Sequence, residues 1–290
     1  MPSLRDIRRR IRSVKNTSQI TRAMEMIAAT KLRRVQHQTV AARPYAERLR
    51  QMVADLSVLA GGAELHPLLQ HRPVQRLGLL LMTTDRGLCG ALNTNILIHA
   101  GRIVAERELP TSVIAVGRKG RDWMLRQRLD LLADFAAPTD RPAYVDALPI
   151  ARVAVDAFLG GQVDEVVMVY PDFVSTLVQR PVARRLLPLP KLPEEARGVY
   201  HEYIFEPDAA TVLAALLPRY VENQIYQAIL ETAASEHAAR MVAMRNATQS
   251  AKELVQELTL TYNKTRQEVI TKELLEIASG AEALRAATGG

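Results

Sequence analysis

The sequence predicts an α/β protein: a central, mainly parallel sheet domain, plus long N- and C-terminal helices that form an antiparallel coiled coil. Three observations carry this expectation. Between Pro207 and Gly280 the chain holds one proline, Pro218, and no glycine, while apolar residues return at helical spacing. From Leu4 to Leu56 a three-four alternation marks a second long helix. Between the two, short apolar runs alternate with helical stretches, the texture of strands covered by helices.

Composition narrows the class. With 290 residues and 48% hydrophobic content, the chain supports one good core plus accessory elements, or two small domains. Aromatic content of only 4% favours long helices over a large conventional core. The formal charge of +7 is unevenly placed: residues 1–50 hold thirteen Lys/Arg against three acids, residues 211–290 eight against nine. The excess therefore sits on the first helix. A single cysteine, Cys89, excludes an intrachain disulfide. No apolar run reaches bilayer-spanning length, and the basic start leads directly into an amphipathic helix rather than a cleavable apolar core, so the chain reads as intracellular and soluble by itself.

Taken in order, Ser3 suits a helix cap and Asp6 its first turn. The first seam runs through Leu4, Ile7, Ile11, Val14, Ser18, Thr21, Glu25, Ala28, Leu32, Val35, Thr39, Ala42, Ala46, Leu49, Val53 and Leu56. Its middle is polar at Ser18, Thr21 and Glu25, with Ile20, Met24 and Ile27 on another face. That phase slip predicts local unwinding or a change of partner. Pro44 is expected to kink the helix, and Gly61-Gly62 to end it.

Strands are expected at Leu77–Met82, Ser112–Val116, Leu131–Phe135 and Val163–Val169, with a further one within Phe173–Leu187; helices are expected at Asn95–Glu108, Lys119–Arg128 and Tyr144–Leu159. This alternation gives the central domain a Rossmann-like layering. Pro188, Pro190 and Pro193 mark a linker. The last stripe passes through Leu213, Leu216, Tyr220, Leu230, Ala234, Met241, Met244, Ala251, Val255, Leu258 and Tyr262, then shifts phase to Ile270, Leu274 and Ile277. A helix of that length needs a partner along it, and the first helix offers one. The resulting partition is 1–60 N-terminal shaft helix, 61–75 linker, 76–190 central α/β domain, 191–208 linker and foot, and 209–290 C-terminal shaft helix. The picture is a globular base with a two-stranded shaft, the longer last helix protruding alone.

No sequence motif announces chemistry. Thr83 to Asn93 lies where a strand turns into a helix, yet neither G-x-G-x-x-G nor the Walker pattern is present, so Gly87 and Gly90 read as turn residues. Cys89 reads as inert packing, and Gly117-Arg118-Lys119-Gly120 as a solvated turn. Scattered histidines give no metal site, and no cofactor is expected. The basic run Arg8, Arg9, Arg10, Arg12, Lys15, Arg22, Lys31, Arg33 and Arg34 leaves two partners open. A nucleic acid satisfies it, though base-stacking aromatics are absent there; an acidic protein surface satisfies it equally.

Several segments resemble the gamma subunit of the bacterial rotary ATP synthase. In the first helix these are Ile11-Arg12-Ser13-Val14-Lys15-Asn16-Thr17, Ile20-Thr21-Arg22-Ala23-Met24-Glu25-Met26 and Arg43-Pro44-Tyr45-Ala46. Thr84-Asp85-Arg86-Gly87-Leu88-Cys89-Gly90 resembles that family's central signature. Ala234 to Met244, Tyr262-Asn263-Lys264-Thr265-Arg266-Gln267 and Ile270-Thr271-Lys272-Glu273 resemble its last helix.

The resemblance implies a non-catalytic rotor shaft, peripheral on the cytoplasmic side of the cell membrane. Its paired helices stand inside a hexamer of alpha and beta subunits, while the α/β domain meets the epsilon subunit and the membrane ring of c subunits. Ion flow turns the ring, and the shaft drives the beta sites for ATP synthesis, or runs in reverse with hydrolysis. By the same resemblance Arg8, Arg9, Arg22, Met24, Glu25, Arg266, Gln267, Thr271 and Glu273 face the alpha/beta hexamer, and Tyr203, Phe205, Glu206 and Asp208 face the membrane ring and epsilon. Glu268 stands where the family usually has a small residue, and Phe205 where tyrosine is frequent. The alternative is a basic coiled-coil nucleic-acid-binding or scaffolding protein; a nucleotide-binding α/β enzyme has the least support.

Overall fold

The computed structural model describes residues 3–59, 66–189, 206 and 208–288. The chain divides into two compact units, one made of Met1–Met26 with Ala243–Gly290 and the other of Ile27–Val242. Helix α1 (Leu4–Leu59) and helix α5 (Ala209–Thr288) contribute residues to both.

The second unit contains the sheet. Its strands are β1 (Leu77–Met82), β2 (Thr111–Val116), β3 (Asp130–Phe135), β4 (Glu165–Phe173) and β5 (Gln179–Leu187). They lie in the order β3-β2-β1-β4-β5. The first four are mutually parallel, and β5 runs antiparallel to β4 at one edge. Helices α2 (Leu92–Arg107), α3 (Arg118–Gln127) and α4 (Tyr144–Leu159) occupy the connections. Both strands flanking a buried central strand require crossovers, which is why β1 is apolar at every position.

Side-chain alternation splits the core into two layers. Leu77, Leu79 and Leu81 of β1, with Val113, Ala115, Val167 and Val169, pack against Ile96 and Ala100 of α2 and Met124 of α3. Leu80 and Met82, with Ile114, Val116, Met168 and Tyr170, face the other way. That layer is covered by Ile150, Ala154 and Phe158 of α4, Leu49, Val53 and Leu56 of α1, and Leu213, Leu217, Val221 and Ile225 of α5. The long helices thus enter the sheet domain as part of its core, not as appendages. At about 25 cal/mol per Å² of apolar surface, burying such Leu and Ile side chains contributes roughly 2 kcal/mol each.

Where the helices leave the sheet they keep packing on each other: Leu32 and Val35 of α1 cluster with Leu230, Ala233, Ala234 and Ala238 of α5. From Thr232 to Ala238 every residue of α5 is buried. The expected one-sided stripe is therefore corrected here to an all-round buried segment, because β4, the loop at Thr139 and α1 surround it. Ser235 donates to the Pro171 carbonyl at 3.2 Å, and His237 Nε2 lies 3.0 Å from the Thr139 carbonyl. Burial holds the His237 pKa below its usual value.

Strand and helix positions follow the expected order. The segment Phe173–Leu187 resolves into the end of β4, a turn, and β5. Helix α1 continues through Pro44. The expected end at Gly61-Gly62 lies outside the described residues. Arg72 ties the chain leading into β1 to the α4–β4 junction: its guanidinium donates to the Phe158 and Val163 carbonyls and pairs with Asp164 at 2.8 Å.

Candidate functional site

In the first unit α1 and α5 form an antiparallel pair whose partners advance in opposite directions along the two helices. Arg8 reaches Tyr262, its guanidinium carbon 5.4 Å from the ring centroid and Nη2 donating to the hydroxyl at 2.5 Å. Further along, Thr21 and Thr248 hydroxyls meet at 2.7 Å inside the seam. Beyond them Arg245 Nε donates to Glu25 Oε1 at 2.9 Å. Ile7, Thr21, Met244, Thr248 and Ala251 are buried, and Ile11, Val14, Ser18, Val255 and Leu258 half-buried.

This geometry corrects the expected unwinding. Helix α1 is unbroken from Ser18 to Glu25, and the seam keeps its phase. Its polar middle is matched across the interface by Thr248 and Arg245. The two hydroxyls share two protons: one donates across the seam to the other, and the other donates to a carbonyl of its own helix, either Thr21 to Ser18 or Thr248 to Met244. Their buried oxygens are thus satisfied, which is the condition for polar groups to sit in a seam without unfolding it. Ile20, at 61% exposure, and Met26, at 60%, stay on the outer face.

The N-terminus is capped as expected: Ser3 Oγ accepts the Asp6 amide at 3.2 Å and donates to its carboxylate at 2.7 Å. The Ser3 hydroxyl holds the Asp6 carboxyl below its usual range. Arg9 pairs with Asp6 at 2.8 Å. Of the residues singled out from the sequence, Arg8, Arg9 and Arg22 are exposed and Met24 half-buried, while Glu25 is turned inward to Arg245. Arg266, Gln267, Thr271 and Glu273 are exposed along α5, beside exposed Leu274, Leu275 and Ile277. The first group shares one end of α1, and the second lies along one stretch of α5. Glu206 is exposed, and exposed Asp208 caps α5 by accepting the Thr211 amide at 2.9 Å and hydroxyl at 2.8 Å, bonds that hold its carboxyl below the usual range. Tyr203 and Phe205 lie outside the described residues.

The Thr83–Asn93 segment is a junction between elements. Asp85 accepts the Arg118 amide at 2.9 Å at the start of α3, and Thr83 Oγ1 accepts the Gly120 amide at 2.8 Å. Asn93 accepts the Thr84 amide and donates to the Thr84 hydroxyl and the Cys89 sulfur. Gly90 adopts φ 59° and Leu88 φ 62°, so the turn draws on both. Gly117 has φ 97°, and a Cβ there would run into the Thr83 carbonyl. Gly117 and Gly120 are buried against Thr83, which corrects the solvated turn expected for them; only Arg118 and Lys119 face outward. Burial pushes the Cys89 thiol up, consistent with a packing role.

Helix α5 locks onto this junction through Arg240, which pairs with Glu236 at 2.6 Å and donates to the Gly87 carbonyl at 3.3 Å. Sequence reading missed this lock. Its one legible signal was the four-residue Glu–Arg spacing, which reads as a surface pair until burial is known.

Fold and surface define a class: an α/β domain whose terminal helices pair antiparallel and present a charged and apolar outer face. A family model described as ATP synthase matches residues 3–284. The chain is 52% identical over 285 residues to the ATP synthase gamma chain of Dehalococcoides mccartyi, covering 98% of this chain and 100% of that one. It is likewise 52% identical over 288 residues to the ATP synthase gamma chain of Roseiflexus castenholzii, covering 98% and 99%. A solved structure of the Euglena gracilis mitochondrial ATP synthase, its OSCP/F1/c-ring in rotational state 3, contains a chain with the same fold: TM-score 0.66, 22% identity, 99% and 96% coverage. A chain in the central stalk/c-ring structure of the Tetrahymena thermophila enzyme matches with TM-score 0.62, 24% identity, 79% and 99% coverage.

The chain belongs to the ATP synthase gamma chain family. It is thereby a subunit of a membrane-associated complex, and no helix among the described residues is long and apolar enough to cross a membrane. The nucleic-acid-binding alternative finds no support among these relatives.

Proposed function

We propose that this chain is the non-catalytic rotor shaft of the complex, carrying ion-driven rotation of a membrane ring of c subunits to catalytic beta subunits. In reverse it couples hydrolysis to ion pumping. The observation that supports this best is about one-half identity to gamma chains over nearly the whole length, together with the continuous antiparallel seam of α1 and α5. A pair of helices has no three-fold surface. Turning inside a ring of three alternating pairs, it presents a different face to each beta subunit, which is what sequential driving of three sites requires.

The residue roles follow from this reading. Exposed Arg8, Arg9 and Arg22 with Met24 and Glu25 on α1, and Arg266, Gln267, Thr271 and Glu273 on α5, are assigned to the alpha/beta hexamer. Tyr203, Phe205, Glu206 and Asp208 are assigned to the foot that meets the membrane ring and the epsilon subunit. The partition into shaft helices 1–60 and 209–290, central domain 76–190 and connecting segments 61–75 and 191–208 belongs to the same proposal, as does placement on the cytoplasmic side of the cell membrane.

The test is affinity purification of the tagged chain from its own cells under mild detergent. Recovery of alpha and beta at one copy of this chain per hexamer, with epsilon and the c ring, supports the proposal. Recovery without any nucleotide-binding hexamer refutes it.

A further inference from the structure

Where α5 packs on the β4–β5 edge of the sheet, two carboxyl groups from different elements meet with a guanidinium beside them. Strand alternation places Met168, Tyr170 and Asp172 of β4 on one face, and the antiparallel register sets Arg184, Val182 and Arg180 of β5 next to them. Helix α5 covers that face and directs Glu231 at Asp172. Glu231 Oε2 is buried and meets no donor among the described residues. With a second carboxylate as its neighbour, it cannot ionise there without repulsion, whereas one proton held between the two groups removes the conflict.

Arg184 is placed to take over from that proton. It stands 3.9 Å from Asp172, the outer limit of an ion pair, with its guanidinium carbon 5.5 Å from the centroid of the buried Tyr170 ring. Its side chain is 56% exposed. A cavity of about 280 Å³ opens beside it, lined by Arg184 and Tyr170, by Asn223 of α5 and by Glu47 and Arg50 of α1, so the guanidinium has room to move. The other charged groups around the pair are Arg180, opposite Asp172 in the register, and Glu47 and Arg50 on the cavity wall. Burial and Asp172 together push the Glu231 pKa up to about 7, with Arg184 acting in the opposite sense. The exchange therefore falls near neutral pH, where small changes redistribute it.

We propose that a proton and the Arg184 guanidinium are alternative partners of the Glu231–Asp172 carboxyl pair, making the contact between α5 and the β4–β5 hairpin a pH-sensitive switch. In the protonated state Glu231 donates to the Asp172 carboxylate and Arg184 rests on Tyr170. As pH rises, the Glu231 O–H bond breaks, its electron pair stays on the carboxylate and the proton passes to water. Arg184, charged throughout, then leaves the ring and bridges the two carboxylates. The switch is independent of the rotor reading, since all of it lies in the sheet-bearing unit.

The test is a pH titration, by nuclear magnetic resonance, of the purified full-length chain carrying isotopically labelled glutamate and tyrosine. The Glu231 carboxyl signal is assigned by its loss in Glu231→Gln and the Tyr170 ring signal by its loss in Tyr170→Phe. Glu231 is expected to titrate near neutral pH, with the Tyr170 signal moving at the same midpoint as the guanidinium departs. Asp172→Asn should lower the Glu231 midpoint by about one pH unit or more, an effect that burial alone does not produce. Arg184→Gln should raise that midpoint and abolish the linked movement of Tyr170, while Asp156→Asn on the exposed face of α4 should alter neither. Should Asp172→Asn fail to fold, Arg184→Gln and the paired titrations of the parent chain carry the test. Titration of Glu231 in the ordinary carboxylate range, a midpoint unmoved by Asp172→Asn, or a Tyr170 signal that does not follow Glu231 overturns the proposal.

Discussion

Replacing Glu231 by glutamine should make the sheet-bearing unit more stable, and only above weakly acidic pH. Glu231 sits on α5 with Oε2 buried and unpartnered, its carboxyl facing Asp172 of β4. Burial, reinforced by Asp172 and only partly opposed by Arg184, pushes its pKa up from 4.5 to about 7. An unfolded chain gives up this proton near 4.5, whereas the folded chain holds it to about 7. Between those values the folded state binds more protons, so its stability falls as pH rises, and above about 7 the full cost is present. At 1.36 kcal/mol per pKa unit the shift corresponds to about 3 kcal/mol at most. Glutamine cannot ionise and keeps the neutral shape. At about pH 8 the variant should therefore be roughly 2–3 kcal/mol more stable than the parent, with a Tm roughly 4–12 °C higher for a unit of this size. At about pH 4.5 the two should coincide. Urea unfolding followed by the fluorescence of Trp123, which lies in the same unit, measures this. Parallel pH profiles for parent and variant, or a less stable variant at about pH 8, would refute the reasoning.

Three further outcomes follow from the packing. In the seam, Thr21→Val and Thr248→Val should each destabilise the helix pair by about 1 kcal/mol, while the double variant costs less than the two together; additive losses in a thermal-unfolding cycle would remove the buried hydroxyl pair from the account. Gly117→Ala should cost at least about 2 kcal/mol, because it combines a left-handed φ with a collision at the Thr83 carbonyl, and a variant that melts with the parent would contradict the junction described for Thr83–Asn93. Met244→Pro breaks α5 at a buried seam position, so in the assembled complex it should uncouple hydrolysis from ion pumping, and fully retained coupling in membrane vesicles would count against the shaft.

Much of the fold was legible because its signals are local. Strand β1 is an apolar run bounded by turn residues, α4 is a periodic stretch with Asp146 returning to the Ala143 amide, and the seam of α1 is a repeat that no other pattern explains. What failed was whatever depends on a second element. A polar patch in one helix reads as weakness until Thr248 and Arg245 are seen opposite Thr21 and Glu25. Thr232 to Ala238 read as one face of a stripe because a single helix does not reveal that β4 and the Thr139 loop enclose its other faces. Gly117 and Gly120 read as solvated because the close approach is made by Thr83, more than thirty residues earlier. The cavity at Asn223 is built from α1, β4, β5 and α5, so no stretch of sequence contains it. The exposed residues assigned to the hexamer carried no signal of their own beyond the resemblance, since an arginine on a helix surface looks the same whether or not a partner meets it.

Rotation of this chain against the proposed alpha/beta hexamer is the direct measurement. With alpha and beta fixed to a surface and a probe attached at Arg152 on the exposed face of α4, ATP hydrolysis should turn the probe stepwise in one direction. It should continue to do so when Thr21→Cys and Thr248→Cys are joined by a disulfide across the seam, because the two helices act as one body. Hydrolysis with a stationary probe, or rotation that stops once the helices are joined, would contradict the account.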